Sequence, residues 1–112
     1  MRLSEHQREF TLDIAKLIVF AYTQGIELTF GEAYRTEYQQ EEYFRTGKSM
    51  TMNSNHLKRL AVDFNFFIDG ALTYDREDVE VLGEYWEALD EKNRAGMFFE
   101  SFIDVPHFER RI

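Results

Sequence analysis

The sequence predicts an α+β fold, a single small domain in which helices flank a mostly antiparallel sheet. Segments with helical spacing of apolar residues and segments with strand-like alternation follow each other irregularly, without the repeated βαβ order of a doubly wound fold. The chain has 112 residues, of which 44% are hydrophobic, and this suits one packed core. We therefore expect residues 1–112 to form one domain without a second module.

The chain opens with a segment that predicts a long helix over residues 4–24. Ser4 and Gln7 have the spacing of a capping box. Gly25 occupies the position at which a glycine commonly ends a helix. Five apolar residues recur at helical spacing in between: Phe10, Ile14, Leu17, Ile18 and Ala21.

A strand, a short helix and a loop are predicted next. Apolar and polar residues alternate over residues 26–30, which indicates a half-buried strand. Residues 37–46 favour a short polar helix that ends at Gly47. Residues 48–55 are small and polar without periodicity, so we expect a loop there.

The middle of the chain predicts a strand with two different faces. Alternation over residues 60–67 places apolar side chains on one face and Asp63 and Asn65 on the other. The pair Asp69-Gly70 then indicates a turn. We expect the apolar face to cover the core, which leaves the polar face for other contacts.

A third helix and a last strand complete the predicted elements. Asp75 is a suitable N-cap for a helix over residues 76–92, and acidic residues lie near its positive end. Residues 94–96 interrupt the helical pattern. Residues 97–103 are apolar and aromatic enough for a further strand.

Charge and composition exclude several classes of function. Thirteen Lys and Arg against 21 Asp and Glu give a formal net charge of −8, so we expect no binding of nucleic acid or of an anionic membrane by charge. The longest apolar stretch, residues 17–22, is far shorter than the roughly 20 residues that cross a bilayer. No basic segment precedes it, so we expect synthesis in the cytoplasm without a signal peptide.

Three histidines and no cysteine restrict metal ligands to His, Asp and Glu. His56 precedes the predicted strand and Asp63 lies on its polar face, so one element could present two ligands, and His107 would come from elsewhere. Such a set leaves the fourth tetrahedral position of Zn²⁺ open for water, as in catalytic sites. Asp104, held near His107 by Pro106, is the candidate base for the water proton.

Each of these residues also has a purely structural interpretation. Histidines far apart in sequence are commonly surface residues or hydrogen-bonded core residues. An Asp in a Phe-rich strand needs a cation or several donors, and a salt bridge from Arg35 to Asp63 would provide one. We expect His6, in the first turn of the first helix, to be solvated.

Three segments together form a motif set: GEAYRTEYQQ at 31–40, GKSMTMNSNHLKRLAVDF at 47–64 and NRAGMFFESFIDVPHFE at 93–109. This set resembles the zinc D-alanyl-D-alanine carboxypeptidases and phage L-alanyl-D-glutamate endopeptidases, the VanX/VanY-like and endolysin group. The pattern of that group is roughly S-x-H-x-x-G-x-A-x-D followed by D/E-x-x-H. The resemblance covers nearly the whole chain and implies a hedgehog/DD-peptidase-like fold.

The resemblance implies a role for each matching residue. His56, Asp63 and His107 would be the zinc ligands, and Asp104 would be the general base that activates water and then protonates the leaving amine. Arg35 would be both a catalytic and a substrate-binding residue, because it matches the arginine that holds the scissile carbonyl and stabilises the oxyanion.

Further matches and two departures concern the surroundings of this centre. Gln40 and Ser54 match positions that line the substrate cleft, although ordinary helix and loop hydrogen bonds are the alternative. Glu109 could accept a hydrogen bond from a ligand imidazole. Arg59 replaces a usual Gly, and residues 94–97 read Arg-Ala-Gly-Met where the family has Trp-Gly-Gly. We interpret both departures as changes to the substrate cleft.

The resemblance implies a zinc-dependent peptidase that hydrolyses a peptidoglycan stem-peptide bond, of the L-Ala–D-Glu endopeptidase or D-Ala–D-Ala carboxypeptidase type. Asp in place of Glu at position 104 favours the phage or prophage endopeptidases. We expect a monomeric catalytic domain without a separate cell-wall-binding domain, which acts on the wall after release from the host cytoplasm. The alternative is a non-catalytic, metal-binding structural phage protein with the same fold.

Overall fold

A computed structural model describes residues 1–49 and 51–112, and it confirms the α+β class. The helices in these residues are α1 (Leu3–Thr23), α2 (Glu37–Arg45) and α3 (Arg76–Leu89). The strands are β1 (Ile26–Phe30), β2 (Ala61–Ile68), β3 (Ala71–Thr73), β4 (Asn93–Ala95) and β5 (His107–Arg110). None of these helices combines the length and the apolar character that a membrane span requires.

Strand β2 is the strand around which the antiparallel sheet is organised. The order of the sheet is β1-β2-β5-β4, and β3 also pairs with β2. Asp69 and Gly70 form the two-residue turn between β2 and β3 with φ of 52° and 79°, as a type I′ turn requires. The pairing of β2 with β5 places Asp63 directly opposite His107.

One face of the sheet packs against α1 and α3 to form the core, as the alternation in β2 predicts. Trp86 of α3 is fully buried, and its indole N–H donates a hydrogen bond to the carbonyl of Glu109 at 3.0 Å. Its ring meets Phe10 and Phe108 edge-on. The other fully buried apolar side chains include Leu17, Ala21, Leu60, Phe66, Val79, Leu82, Ala95 and Met97.

A buried arginine connects α1, the end of α3 and β5. Arg110 is 1% exposed, and its guanidinium donates hydrogen bonds to Glu9 at 2.8 Å and to Asp90 at 3.1 Å. Its Nε–H donates to Nδ1 of His6 at 3.1 Å. The prediction that His6 is solvated is therefore wrong, because Arg110 gives its imidazole a buried partner.

The predicted elements of the first half are confirmed with small shifts at their ends. Helix α1 begins at Leu3, and Glu5 accepts hydrogen bonds from the backbone N–H and the side chain of Arg2. The predicted capping box of Ser4 and Gln7 is therefore wrong, because the helix begins before Ser4. The predicted helix over 37–46 corresponds to α2.

The predicted loop over residues 48–55 includes Met50, which lies outside the described residues. Of the others, residues 48–49 and 51–54 belong to no helix or strand. Asn55 begins a short 3₁₀ helix, Asn55–Lys58, for which the Ser54 hydroxyl accepts the N-capping hydrogen bond.

The last third of the chain differs most from the prediction. Helix α3 ends at Leu89 and not at residue 92, because Asp90 has extended backbone. The predicted strand over 97–103 is wrong, since Gly96–Phe98 form one 3₁₀ turn and the following residues form a loop. The short strands β3, β4 and β5 were not predicted.

Candidate metal centre and substrate cleft

The three predicted metal ligands converge at one end of the sheet. His56 comes from the 3₁₀ helix, Asp63 from β2 and His107 from β5. Oδ1 of Asp63 lies 3.4 Å from Nε2 of His56 and 3.2 Å from Nδ1 of His107. The three ligand atoms all lie within 4.8 Å of one another. Two imidazole nitrogens and one carboxylate at this spacing form a donor set that suits Zn²⁺.

Hydrogen bonds on the outer side of each imidazole determine which nitrogen faces the centre. Nδ1–H of His56 donates to the carbonyl of Ala33 at 2.8 Å, and this leaves Nε2 buried without a hydrogen-bond partner among the described residues. Nε2–H of His107 donates to Glu109 at 2.6 Å, so its Nδ1 faces Asp63. An orphaned buried nitrogen is costly, and a metal ion would satisfy it.

The charges of these groups are strongly coupled. Burial lowers the pKa of His107, but hydrogen bonds to Asp63 and Glu109 outweigh it and raise that pKa to about 9. Burial raises the pKa of Asp63, yet its two histidine partners hold it well below its usual range. Burial also opposes ionisation of Glu109, but His107 and Arg111 lower its pKa to about 2. Without metal, His107 is therefore protonated at neutral pH.

Asp104 lies beside this centre, in the loop before β5. Its Oδ2 is 3.9 Å from Nδ1 of His107, and burial raises the pKa of its carboxyl group. Gly96 accepts a hydrogen bond from the N–H of Asp104 at 2.9 Å. A Cβ on Gly96 would lie 2.2 Å from the carbonyl oxygen of Asp104, so only glycine permits this approach.

Arg35 reaches the same region from the segment between β1 and α2. Its guanidinium donates to one oxygen of Glu32 from Nε at 3.0 Å and from Nη2 at 2.8 Å. Nη1 donates to Gln40 at 2.7 Å and to the Ser54 hydroxyl at 3.5 Å. The alternative salt bridge between Arg35 and Asp63 is not formed, since Arg35 pairs with Glu32 and Asp63 pairs with the histidines.

Gln40 and Ser54 lie in different surroundings. Gln40 is fully buried, and its amide donates to the Ser49 hydroxyl at 2.9 Å and to the Thr51 carbonyl at 2.6 Å. Its side-chain oxygen accepts the hydrogen bond from Nη1 of Arg35. Ser54 lines a cleft of about 320 Å³ that also contains Arg35, His56, Asp104, His107 and Glu109.

One solved structure with this arrangement of elements is that of the Serratia marcescens L-Ala D-Glu endopeptidase ChiX. It matches with a TM-score of 0.72 and 23% sequence identity, over 97% of this chain and 86% of that chain. The chain has the ChiX fold. No protein-family model matches the sequence, and the search of curated proteins found no match.

Of the residues in the two departures from the motif pattern, Arg59, Ala95 and Met97 lie outside the cleft lining, whereas Gly96 lies directly against Asp104. Arg59 adopts a left-handed conformation with φ of 58°, and its guanidinium lies 4.0 Å from the centre of the Tyr34 ring. Ala95 and Met97 are fully buried in the core. The interpretation as changes to the substrate cleft therefore does not hold for Arg59, Ala95 and Met97.

Several cleft residues were missed by the sequence reasoning. Lys48, Phe99, Phe102 and Arg111 all line the cleft. Arg111 donates to Glu109 at 2.5 Å, and its guanidinium lies 5.1 Å from the centre of the Phe99 ring. The two phenylalanines lie in the run that predicted a strand, where the apolar pattern gave no sign of a cleft wall.

Proposed function

We propose that this protein is a zinc-dependent peptidase that hydrolyses a bond of the peptidoglycan stem peptide. The observation that carries the proposal is Nε2 of His56, which has no hydrogen-bond partner in the part of the chain that the structure describes and faces Asp63 and His107 beside the cleft. ChiX, a structural neighbour, is described as an L-Ala D-Glu endopeptidase. That description supports the L-Ala–D-Glu bond as the first substrate to test and the D-Ala–D-Ala bond as the second.

The ligand residues would hold the metal through Nε2 of His56, a carboxylate oxygen of Asp63 and Nδ1 of His107. Zinc in that position polarises a carbonyl and lowers the pKa of water towards about 7. The hydrogen bonds from His56 to Ala33 and from His107 to Glu109 keep both imidazoles in the required orientation.

Asp104 would transfer the protons of the reaction. Its carboxylate takes a proton from the attacking water and delivers it to the nitrogen of the leaving amine. Burial raises its pKa, which brings the group closer to the working pH and strengthens it as a base. Its distance of 3.9 Å from Nδ1 of His107 places it beside the metal ligands without making it one of them.

Arg35 would stabilise the negative charge that develops on the scissile carbonyl oxygen. A guanidinium has five N–H donors, and the contacts with Glu32, Gln40 and Ser54 use four of them. Within residues 1–49 and 51–112, one N–H of Nη2 has no acceptor, and it would be the donor to the substrate. A fixed donor of this kind contributes most when the charge appears only in the transition state.

The proposal extends to the biology of the protein. We propose a phage or prophage peptidase that is made in the host cytoplasm as a monomer and reaches the wall after release. Its ligand is a peptide and not a nucleic acid or a membrane, consistent with the net charge of −8.

The experiment combines metal analysis with digestion of purified muropeptides, followed by mass spectrometry of the products. We expect one zinc per chain and cleavage at a single stem-peptide bond. Asp104→Asn should keep the zinc and lose roughly 10²- to 10⁴-fold in kcat. Asp75→Asn, an exposed change that retains a good N-cap residue, is the matched control. Absence of bound zinc, or equal cleavage by Asp104→Asn and the control, would overturn the proposal.

A further inference from the structure

We propose that Glu32 and Tyr43 are positioning residues that aim the guanidinium of Arg35 at the metal centre. Neither residue was singled out from the motif pattern. The inference rests on the proposed role of Arg35 in stabilising the oxyanion, and it adds the part of the molecule that determines where that charge points.

The Arg35 side chain is 11% exposed and is held by contacts on two sides. One oxygen of Glu32, Oε2, accepts from both Nε and Nη2 of the guanidinium. The ring of Tyr43 lies across the guanidinium at 4.8 Å from its centre, within cation–π range. These contacts restrain both the direction and the tilt of the guanidinium plane.

Tyr43 reaches the site from α2. Its hydroxyl donates a short hydrogen bond to Oε1 of Glu32. This bond orients the carboxylate so that the other oxygen faces Arg35. The same bond raises the pKa of the Tyr43 hydroxyl.

The backbone links Glu32 to the metal ligands. The carbonyl of Glu32 accepts a hydrogen bond from the N–H of Asp63 at 2.8 Å, and the N–H of Gly31 donates to the carbonyl of Asp63 at 2.7 Å. Gly31 and Glu32 thus both lie opposite Asp63, which is the two-against-one pairing of a β-bulge. A Cβ on Gly31 would lie 3.1 Å from the carbonyl oxygen and 3.2 Å from Cβ of Asp63, so any larger residue would have to move Asp63 by a few tenths of an ångström.

The backbone of Arg35 is attached to the same frame. Its N–H donates to the carbonyl of His56 at 3.3 Å. Both ends of the Glu32–Arg35 ion pair are therefore hydrogen-bonded to residues that would bind the metal. A displacement of the carboxylate would change the distance between the guanidinium and the reacting carbonyl, and misplacement by about 1 Å can cost about a hundredfold in rate.

The first test measures the orientation of Arg35 without any enzymatic activity. We expect an exchange-protected Arg35 Nε–H signal in ¹⁵N NMR spectra of the wild-type protein, assigned by its loss in Arg35→Lys. In Glu32→Gln that proton should exchange about 10- to 100-fold faster, because a hydrogen bond to a charged group is lost. Glu42→Gln removes an exposed ion pair with Arg45 on α2 and is the matched control. Equal exchange rates of the Arg35 Nε–H in the wild type, Glu32→Gln and Glu42→Gln overturn the inference.

The second test separates positioning from simple stability. Glu32→Gln and Tyr43→Phe should lower kcat about tenfold or more with a smaller change in KM, and both should keep the wild-type zinc content. In an Arg35→Ala background, neither change should lower kcat further, because their effect passes through Arg35. Equal factors in both backgrounds overturn the inference, while the Asp104→Asn result still stands for the proposed function. If the wild-type chain cleaves no muropeptide, the proposed function fails and the NMR result alone decides the positioning of Arg35.

Discussion

Zinc binding should depend steeply on pH, because the metal must displace a proton from His107. In the metal-free protein that proton is held between Asp63 and Glu109, and the pKa of His107 is about 9. At pH 7 the difference is about two units, and each unit corresponds to about 1.4 kcal/mol. The proton therefore costs zinc about 2.7 kcal/mol, which lowers its apparent affinity about a hundredfold.

The assay is competition with a chelator of known affinity between pH 7 and 8.5. We expect the apparent dissociation constant to fall at least tenfold for each pH unit, because zinc-bound water with a pKa near 7 adds to the proton lost from His107. Calorimetry at pH 7.5, in buffers that differ in ionisation enthalpy, should show about one proton released from His107 per zinc, in addition to the protons lost by zinc-bound water. In Glu109→Gln the pKa of His107 should fall, so fewer protons should be released at this pH. A zinc affinity that does not change with pH, or the same proton release in Glu109→Gln, would show that His107 is not protonated in the metal-free protein at neutral pH.

Three further predictions concern stability and the shape of the centre. Folding raises the pKa of His107, so the contribution of this residue to metal-free stability is complete below pH 6.5 and is lost as the pH rises through about 9. The free energy of unfolding in urea should therefore decrease by about 3 kcal/mol over this pH range. A free energy of unfolding that stays constant over this range would contradict the prediction. Arg110→Ala should cost about 2–3 kcal/mol by the same assay, because the hydrogen bonds from its buried guanidinium to charged groups are lost, whereas exposed Arg76→Ala should cost less than about 1 kcal/mol, and similar values for the two would refute a stabilising role for Arg110. Gly96→Ala should weaken zinc binding about tenfold or more, because its Cβ would push against Asp104 and His107, and unchanged affinity would show that the loop adapts freely.

The sequence predicted those parts of the fold in which a local pattern determines the structure. Strand β2 was found because its alternation separates a buried face from Asp63. Strand β5 was not found, because all four of its residues are buried and three of them are polar or charged. Some of their partners are far away in sequence, as Arg110 with Glu9 and His107 with Asp63 show. No local periodicity encodes such contacts.

The ligands of the candidate site and the support that Glu109 gives to His107 could be predicted from the sequence, but the support of Arg35 could not. His56, Asp63, His107 and Asp104 were proposed from motif spacing, and the structure brings them together. The support that Glu32 gives to Arg35 depends on the backbone pairing of residues 31–32 with Asp63. That pairing is a property of the sheet register, which the sequence of either segment does not reveal.

The cross-strand pairing of Asp63 with His107 has a consequence for how the protein folds. These residues are 44 positions apart, so they meet only after β5 has closed onto β2. An unfolded chain offers no such pair, and zinc would bind only molecules in which this closure is complete. Bound metal would then slow unfolding more than it speeds folding, because it stabilises the closed sheet and not the unfolded chain. Stopped-flow measurements with and without zinc should therefore show the effect mainly in the unfolding rate constant.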